Sequence, residues 1–244
     1  MSGASFAPTA LITGGARGIG AAITARLKAD GLRTVVLDII APEGQAPDRF
    51  VQVDLSDVSA ATEACAEIAR SEEVGCLINN VGIVAPAALE EVDLADFDRL
   101  FSINLRPSLI AAQAFIPAMK ARGAGRIVMN TSRVSLGKEL RSLYSATKGA
   151  AQSMARTWAL ELAPHGITVN SVAPGPIGTD AFWRNNPPEA PLTRAIIEKV
   201  PLRRMGTPED VANAVAFFCA PPSGFVTGQT LFVCGGVTVG MAGT

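Results

Sequence analysis

The chain has 244 residues, 48% of them apolar and 18% charged, with a formal net charge of −1. That length suits one α/β domain burying roughly 70–75% of the surface its unfolded chain exposes, and the interspersed charges offer no concentrated basic face for nucleic acid. No run approaches the ~18 apolar residues of a membrane span, the start MSGASFAPTA lacks the pattern of a signal peptide, and Cys65, Cys76, Cys219 and Cys234 have neither CxxC nor metal-ligand spacing. A cytoplasmic protein without a metal is expected.

Short apolar runs alternate with longer stretches of helical spacing. Ala10–Thr13 reads as a strand that enters a glycine-rich turn, and Ile19–Asp30 as a helix with Ile19, Ile23 and Leu27 on one face. Arg33–Asp38 and Phe50–Val53 read as strands, Ser59–Ser71 as a helix and Cys76–Asn79 as a strand. Helices follow over Leu94–Ile103 and Leu109–Ala121, then strand Arg126–Asn130 and the Ala-rich helix Ser142–Ala163. Strand Thr168–Ala173, helix Pro208–Cys219 and strand Thr230–Cys234 complete the series. Seven strands separated by helices predict a doubly wound, Rossmann-type parallel sheet with helices on both faces, as one domain over residues 1–244. The proline-rich stretch Pro174–Pro191 is expected to be irregular, with residues 174–200 forming a lid over the strand ends.

The turn Thr13-Gly-Gly-Ala-Arg-Gly-Ile-Gly20 places Gly14, Gly18 and Gly20 between a strand and a helix. Glycines there permit a tight turn and close approach of a pyrophosphate to the helix N-terminus. Asp38, at the end of the second strand, can accept hydrogen bonds from the adenosine ribose and repel a 2′-phosphate, which favours NAD over NADP. Arg17 within the turn points the other way, since a guanidinium pairs well with phosphate.

Tyr144 and Lys148 are four residues apart and fall on one helical face. Tyrosine ordinarily titrates near pH 10. A lysine ammonium close by is expected to lower that value and to let the phenol exchange a proton with an alcohol or a nascent alkoxide.

With the glycine turn, Asn79-Asn-Val-Gly82, Asn104, Ser132 and Pro174-Gly175, this pair gives the chain a set of ordered motifs from Ala10 to Gly236. The set resembles the short-chain dehydrogenase/reductase family, and more narrowly its compact single-domain NAD(P)-dependent branch. The resemblance implies Tyr144 as general acid/base, Lys148 as the residue that tunes it and holds the nicotinamide ribose, and Ser132 as the partner of the substrate oxygen. It implies that Asn104 holds a water beside the lysine, that Asp54 approaches the adenine amine and that Asn80 lies near the adenosine. Ile177 and Thr179 match positions at the carboxamide. Arg17, Ile19, Leu55, Gly82, Pro174 and Gly175 complete the implied cofactor site.

The resemblance further implies an alcohol or ketone as substrate, and a homotetramer or homodimer paired through the long helix and the C-terminal strand. The apolar stretch Leu231–Met241 is compatible with burial at such a contact. An NADPH-dependent 3-oxoacyl-thioester reductase is the alternative activity, and a catalytically silent nucleotide-binding scaffold a further one.

The chain departs from the family pattern in three places. Arg133 stands where a small residue is usual, and the Ser132–Tyr144 interval is one residue short, which leaves Ser135 as an alternative serine. Cys234 replaces an aspartate, with an expected effect on packing alone. Arg133, Lys138 and Arg141 could face an anionic substrate, be solvated or lie at a subunit edge; Phe182 and Trp183 could line a pocket or pack a hinge. His165 is not required by the chemistry.

Overall fold

The structure is a computed structural model that describes residues 7–240; the first six residues and the last four, Met241 of the apolar tail among them, lie outside the described range. The elements are β1 (Thr9–Thr13), α1 (Gly18–Ala29), β2 (Arg33–Asp38), β3 (Arg49–Gln52), α2 (Val58–Ser71), β4 (Val74–Asn79), α3 (Leu94–Asn104) and α4 (Arg106–Arg122). They continue with β5 (Gly125–Asn130), α5 (Ser142–Leu162), β6 (Ile167–Pro174), α6 (Asp180–Asn185), α7 (Pro191–Glu198), α8 (Pro208–Cys219) and β7 (Thr230–Val233). Bounds differ from the sequence expectation mostly by a residue or two, as element ends do.

All strand pairs are parallel, in the order β3-β2-β1-β4-β5-β6-β7. Side-chain alternation along the central strands feeds two separate cores. Leu11, Leu77 and Ile127 pack on one face with Phe115 and Met119 of α4 and Ala151, Ala155 and Ala159 of α5. Their chain neighbours Ile12, Ile78 and Val128 pack on the other face with Ile23 and Leu27 of α1 and Val211 and Val215 of α8. Burial on both faces is why these strands read as continuous apolar runs instead of alternating ones.

Strand order reverses between β1 and β4, so the loops leaving their carboxyl ends diverge and open a crevice there, the usual ligand position in such sheets. The long stretch after β6 is not irregular as expected. The Thr179 side chain accepts a hydrogen bond from the Phe182 N–H and starts α6, and Pro191 occupies the first turn of α7. A capping threonine and a first-turn proline are both helix-start signals, and here they outweigh the breaking effect of the intervening prolines.

Between α3 and α4, Leu105 leaves the helical geometry with φ −125° and ψ −48°, and Pro107 sits in the first turn of α4. Proline lacks the N–H needed to continue the earlier ladder. The resulting break fixes Asn104, buried at the end of α3, against the sheet's catalytic end.

Candidate active site

A cleft of about 650 Å³ opens over the carboxyl ends of the central strands. It begins at the turn after β1, where Gly14 (φ +65°) and Gly18 (φ +53°) adopt left-handed geometry that L side chains resist. A Cβ on Gly20 would collide with the Gly14 carbonyl oxygen, so the turn closes only with glycine there. The N-cap of α1, Arg17, makes no capping hydrogen bond through its side chain. The first N–H groups of the helix are thus left for a ligand, and together with the dipole they suit a diphosphate. This glycine-rich floor fits a dinucleotide.

Asp38 closes that end. Its carboxylate accepts the Ala16 N–H at 3.0 Å and the Ile40 N–H at 3.3 Å, and two carboxylate oxygens retain further lone pairs for ribose hydroxyls. Arg17 pairs with Glu43, both well exposed, so this contact holds the guanidinium only weakly.

From the turn a chain of hydrogen bonds runs through the sheet to the catalytic helix. The Asn80 amide donates to Gly14 O at 2.7 Å and Thr13 O at 3.1 Å, while its Oδ1 accepts from Asn130 Nδ2 at 2.7 Å. The Asn130 carbonyl in turn accepts from Lys148 Nζ at 2.9 Å. Thr13 Oγ1 supports the same corner by accepting from the N–H groups of Asn80 and Val81.

Lys148 is fully enclosed, and burial pushes its ammonium down to about 8. Its Nζ stands 5.7 Å from the centre of the Tyr144 ring. Tyr144 is hydrogen-bonded to Ser132. The expectation that the lysine lowers the phenol is corrected here. Burial raises Tyr144 above its ordinary value, and the lowering influences, the Ser132 hydrogen bond and the Arg141 charge, do not offset it. The ammonium is turned onto the Asn130 carbonyl, and desolvation of the phenolate dominates.

Asn104 is engaged on every side. Its Oδ1 accepts from the Ile83 N–H at 2.8 Å, and its Nδ2 donates to Ile83 O and to Thr147 Oγ1, each at 3.0 Å. It fastens the loop after β4 to α5, beside the reaction centre. A Cβ on Gly82 would lie 3.1 Å from Lys148 Nζ and 3.3 Å from Asn104 Oδ1, so glycine keeps that corner open.

Of the residues singled out from the sequence, Gly14, Arg17, Ile19, Gly20, Asp38, Asn80, Gly82, Ser132, Tyr144, Lys148, Pro174, Gly175, Ile177 and Thr179 line the cleft. Gly18, Asp54, Leu55 and Asn104 are not among its lining residues. Gly18 lies beneath Thr179, and Leu55 is buried in the core. Asp54 accepts from the Ser56 N–H and hydroxyl, which hold its carboxyl below the usual range. Ser135 donates to the Ser132 carbonyl and does not line the cleft, so the serine on Tyr144 is Ser132. Phe182 faces the cleft with Ile196, while Trp183 packs edge-on to Phe182 and against Gly178. Cys234 lies outside the lining, in contact with Thr238.

Sequence reasoning missed Asn130, Thr13 and Thr147. Asn130 was legible only as a strand terminus; it meets Lys148 through its carbonyl, a group every residue has, and Asn80 through its side chain.

The fold and the cleft define an NAD(P)-binding oxidoreductase. A family model described as enoyl-(acyl carrier protein) reductase matches residues 14–238, and the chain belongs to the short-chain dehydrogenase/reductase family. The chain is 32% identical to trans-4-hydroxycyclohexanecarboxylate dehydrogenase of Sinomonas cyclohexanicum, over 95% of this chain and 93% of that one. It is 36% identical to 3-oxoacyl-[acyl-carrier-protein] reductase of Rickettsia bellii, over 94% and 96%. Its structure is similar to that of a blue fluorescent protein from a metagenomic library in complex with NADPH, with a TM-score of 0.83, 34% identity and coverage of 94% and 97%.

Burial of Lys148 has a consequence for stability. The folded chain releases this proton at about 8, the unfolded chain only near the ordinary 10.5. Between those values the unfolded state binds more protons, so raising the pH favours the folded state. Relative to Lys148→Met, the wild-type free energy of unfolding should rise by about 2–3 kcal/mol from about pH 7 to about pH 10. Denaturant titrations at the two pH values measure this, and parallel behaviour of the two proteins would show that Lys148 is not buried as a cation.

Proposed function

We propose that the protein is an NAD-dependent oxidoreductase that interconverts a secondary alcohol and a ketone. The observation that carries this reading is the Tyr144 phenol, hydrogen-bonded to Ser132 in the cleft, with a buried ammonium behind it. Ser132 and Tyr144 bring two hydroxyl groups together in the cleft, where they would hold the oxygen of a carbonyl or alcohol. A phenol kept neutral by burial is a proton donor toward an alkoxide and is left as phenolate; in the opposite direction that phenolate, once the phenol has lost its proton, accepts the alcohol proton. Lys148 supplies positive charge beside that oxygen as negative charge develops on it. Asn104 and Gly82 keep the lysine corner shaped, and Phe182 and Ile196 cover it from the lid. When bound, the dinucleotide supplies or accepts a hydride at the nicotinamide ring.

The cofactor preference rests on Asp38. Its carboxylate suits ribose hydroxyls, and a 2′-phosphate there would meet like charge. Exposed Leu160 on α5 and Phe225 before β7 support a homo-oligomer paired through those regions.

Reduction of a 3-oxoacyl thioester with NADPH is the second reading. The Rickettsia bellii relative, the NADPH complex and the presence of Arg17 in the cleft favour it. Turnover with the two dinucleotides separates the readings. With NAD, kcat/KM should exceed the NADP value by at least about tenfold, and Asp38→Ala should narrow the ratio. A wild-type preference for NADP would remove the role given to Asp38.

Tyr144→Phe keeps the ring and loses the proton. Its turnover should fall at least about a hundredfold while NADH still binds, as followed by absorbance and by fluorescence of the bound nucleotide. Near-full activity in this variant would refute the proposed proton transfer.

A further inference from the structure

At the catalytic end of the cleft, Ser132 is followed directly by Arg133, which opens a 3-10 turn, Arg133–Leu136. Lys138 comes just beyond it, and both cationic residues line the cleft with Tyr144. Among the described residues neither makes an ion pair. The two are near each other and near Arg141. Lys138 is held below the ordinary lysine range by burial and then by repulsion from Arg133 and Arg141, with the Glu139 carboxylate pulling the other way. Asp38, the acid in the cleft lining, stands at the end of β2, three strand spacings from β5 and so roughly 14 Å across the sheet.

The result is a rim of like charges in which Arg133 is half-buried and Lys138 exposed, with Glu139 the neighbouring acid and Asp38 the acid of the cleft lining, far across the sheet. Such an arrangement costs free energy in the free protein, and an anion placed there removes the cost. Because Arg133 is the next residue after Ser132, that anion would sit a few bonds from the oxygen held by Ser132 and Tyr144. An arginine fork matches the two oxygens of a carboxylate, and a lysine adds a point charge without a fixed direction.

We propose that the substrate is a hydroxy or oxo acid whose carboxylate is held by Arg133 and Lys138 as specificity-determining residues. This rests on the reading of Ser132, Tyr144 and Lys148 as an alcohol–ketone centre. The apolar side of the pocket, Phe182 and Ile196, then faces the hydrocarbon part of the acid.

The test uses matched pairs: secondary hydroxy acids, linear and cyclic, and their methyl esters, each offered with NAD. The same pairs are titrated into the NADH-loaded enzyme, with nucleotide fluorescence and thermal unfolding as readouts of binding. The acids should exceed their esters by at least about tenfold in kcat/KM, with the difference in KM. Arg133→Gln and Lys138→Gln should each reduce that preference, and the double variant should bring it close to parity with NADH affinity unchanged. Equal turnover of acids and esters, or a preference that survives in the double variant, overturns the proposal. Preference for a phosphate monoester over the acids overturns it as well. Acids that bind selectively without turnover support the carboxylate site and count against the alcohol–ketone reaction. Neither binding nor turnover of any pair rejects both.

Discussion

The structure depends on how one buried ammonium is accommodated. Enclosing a lysine charge costs several kcal/mol unless it finds an acceptor of fixed position. Lys148 finds it in the Asn130 carbonyl at the end of β5. That carbonyl is held in turn, because the Asn130 side chain donates to Asn80, and the Asn80 amide grips the glycine turn after β1. Four elements that are distant in the chain thus share one polar thread. The dinucleotide turn and the proton-handling helix are fixed relative to each other by the same bonds that make the lysine tolerable.

The thread also divides the labour at the reaction centre. The ammonium points toward the sheet, so its contact with Tyr144 is through space, 5.7 Å from the ring centre. Ser132 makes the direct hydrogen bond to the phenol. The ligand-free site therefore presents an acid in its neutral form, and desolvation sets that state. The surrounding glycines serve by absence: side chains at Gly20 or Gly82 would crowd the turn or the lysine.

Much of this was legible in the sequence. Apolar strands alternating with helices predicted the parallel sheet, because burial of both faces leaves pairs such as Leu11–Ile12 and Leu77–Ile78 continuous in apolar character. The spacing of Gly14, Gly18 and Gly20 and the position of Asp38 followed from what a diphosphate and a ribose demand. The direction of the Tyr144 shift was not legible. The four-residue spacing fixes that Lys148 is near, whereas burial and the orientation of its Nζ depend on β5, which no local pattern reveals. The helices after β6 were missed because their prolines were weighed as breakers, although Thr179 and Pro191 stand at helix-starting positions. Arg133 was visible as a departure from a family pattern. Its position on the same cleft as Lys138 came only from the fold.

Tyr144 is the single tyrosine of the chain, so its ionisation can be followed through phenolate absorbance without any substitution. In the ligand-free protein the midpoint should lie above the ordinary value near 10, and Ser132→Ala should raise it further by removing a bond that favours the phenolate. A midpoint at or below the ordinary value in the native, ligand-free protein would contradict the account. The lysine charge, and not burial, would then govern the phenol.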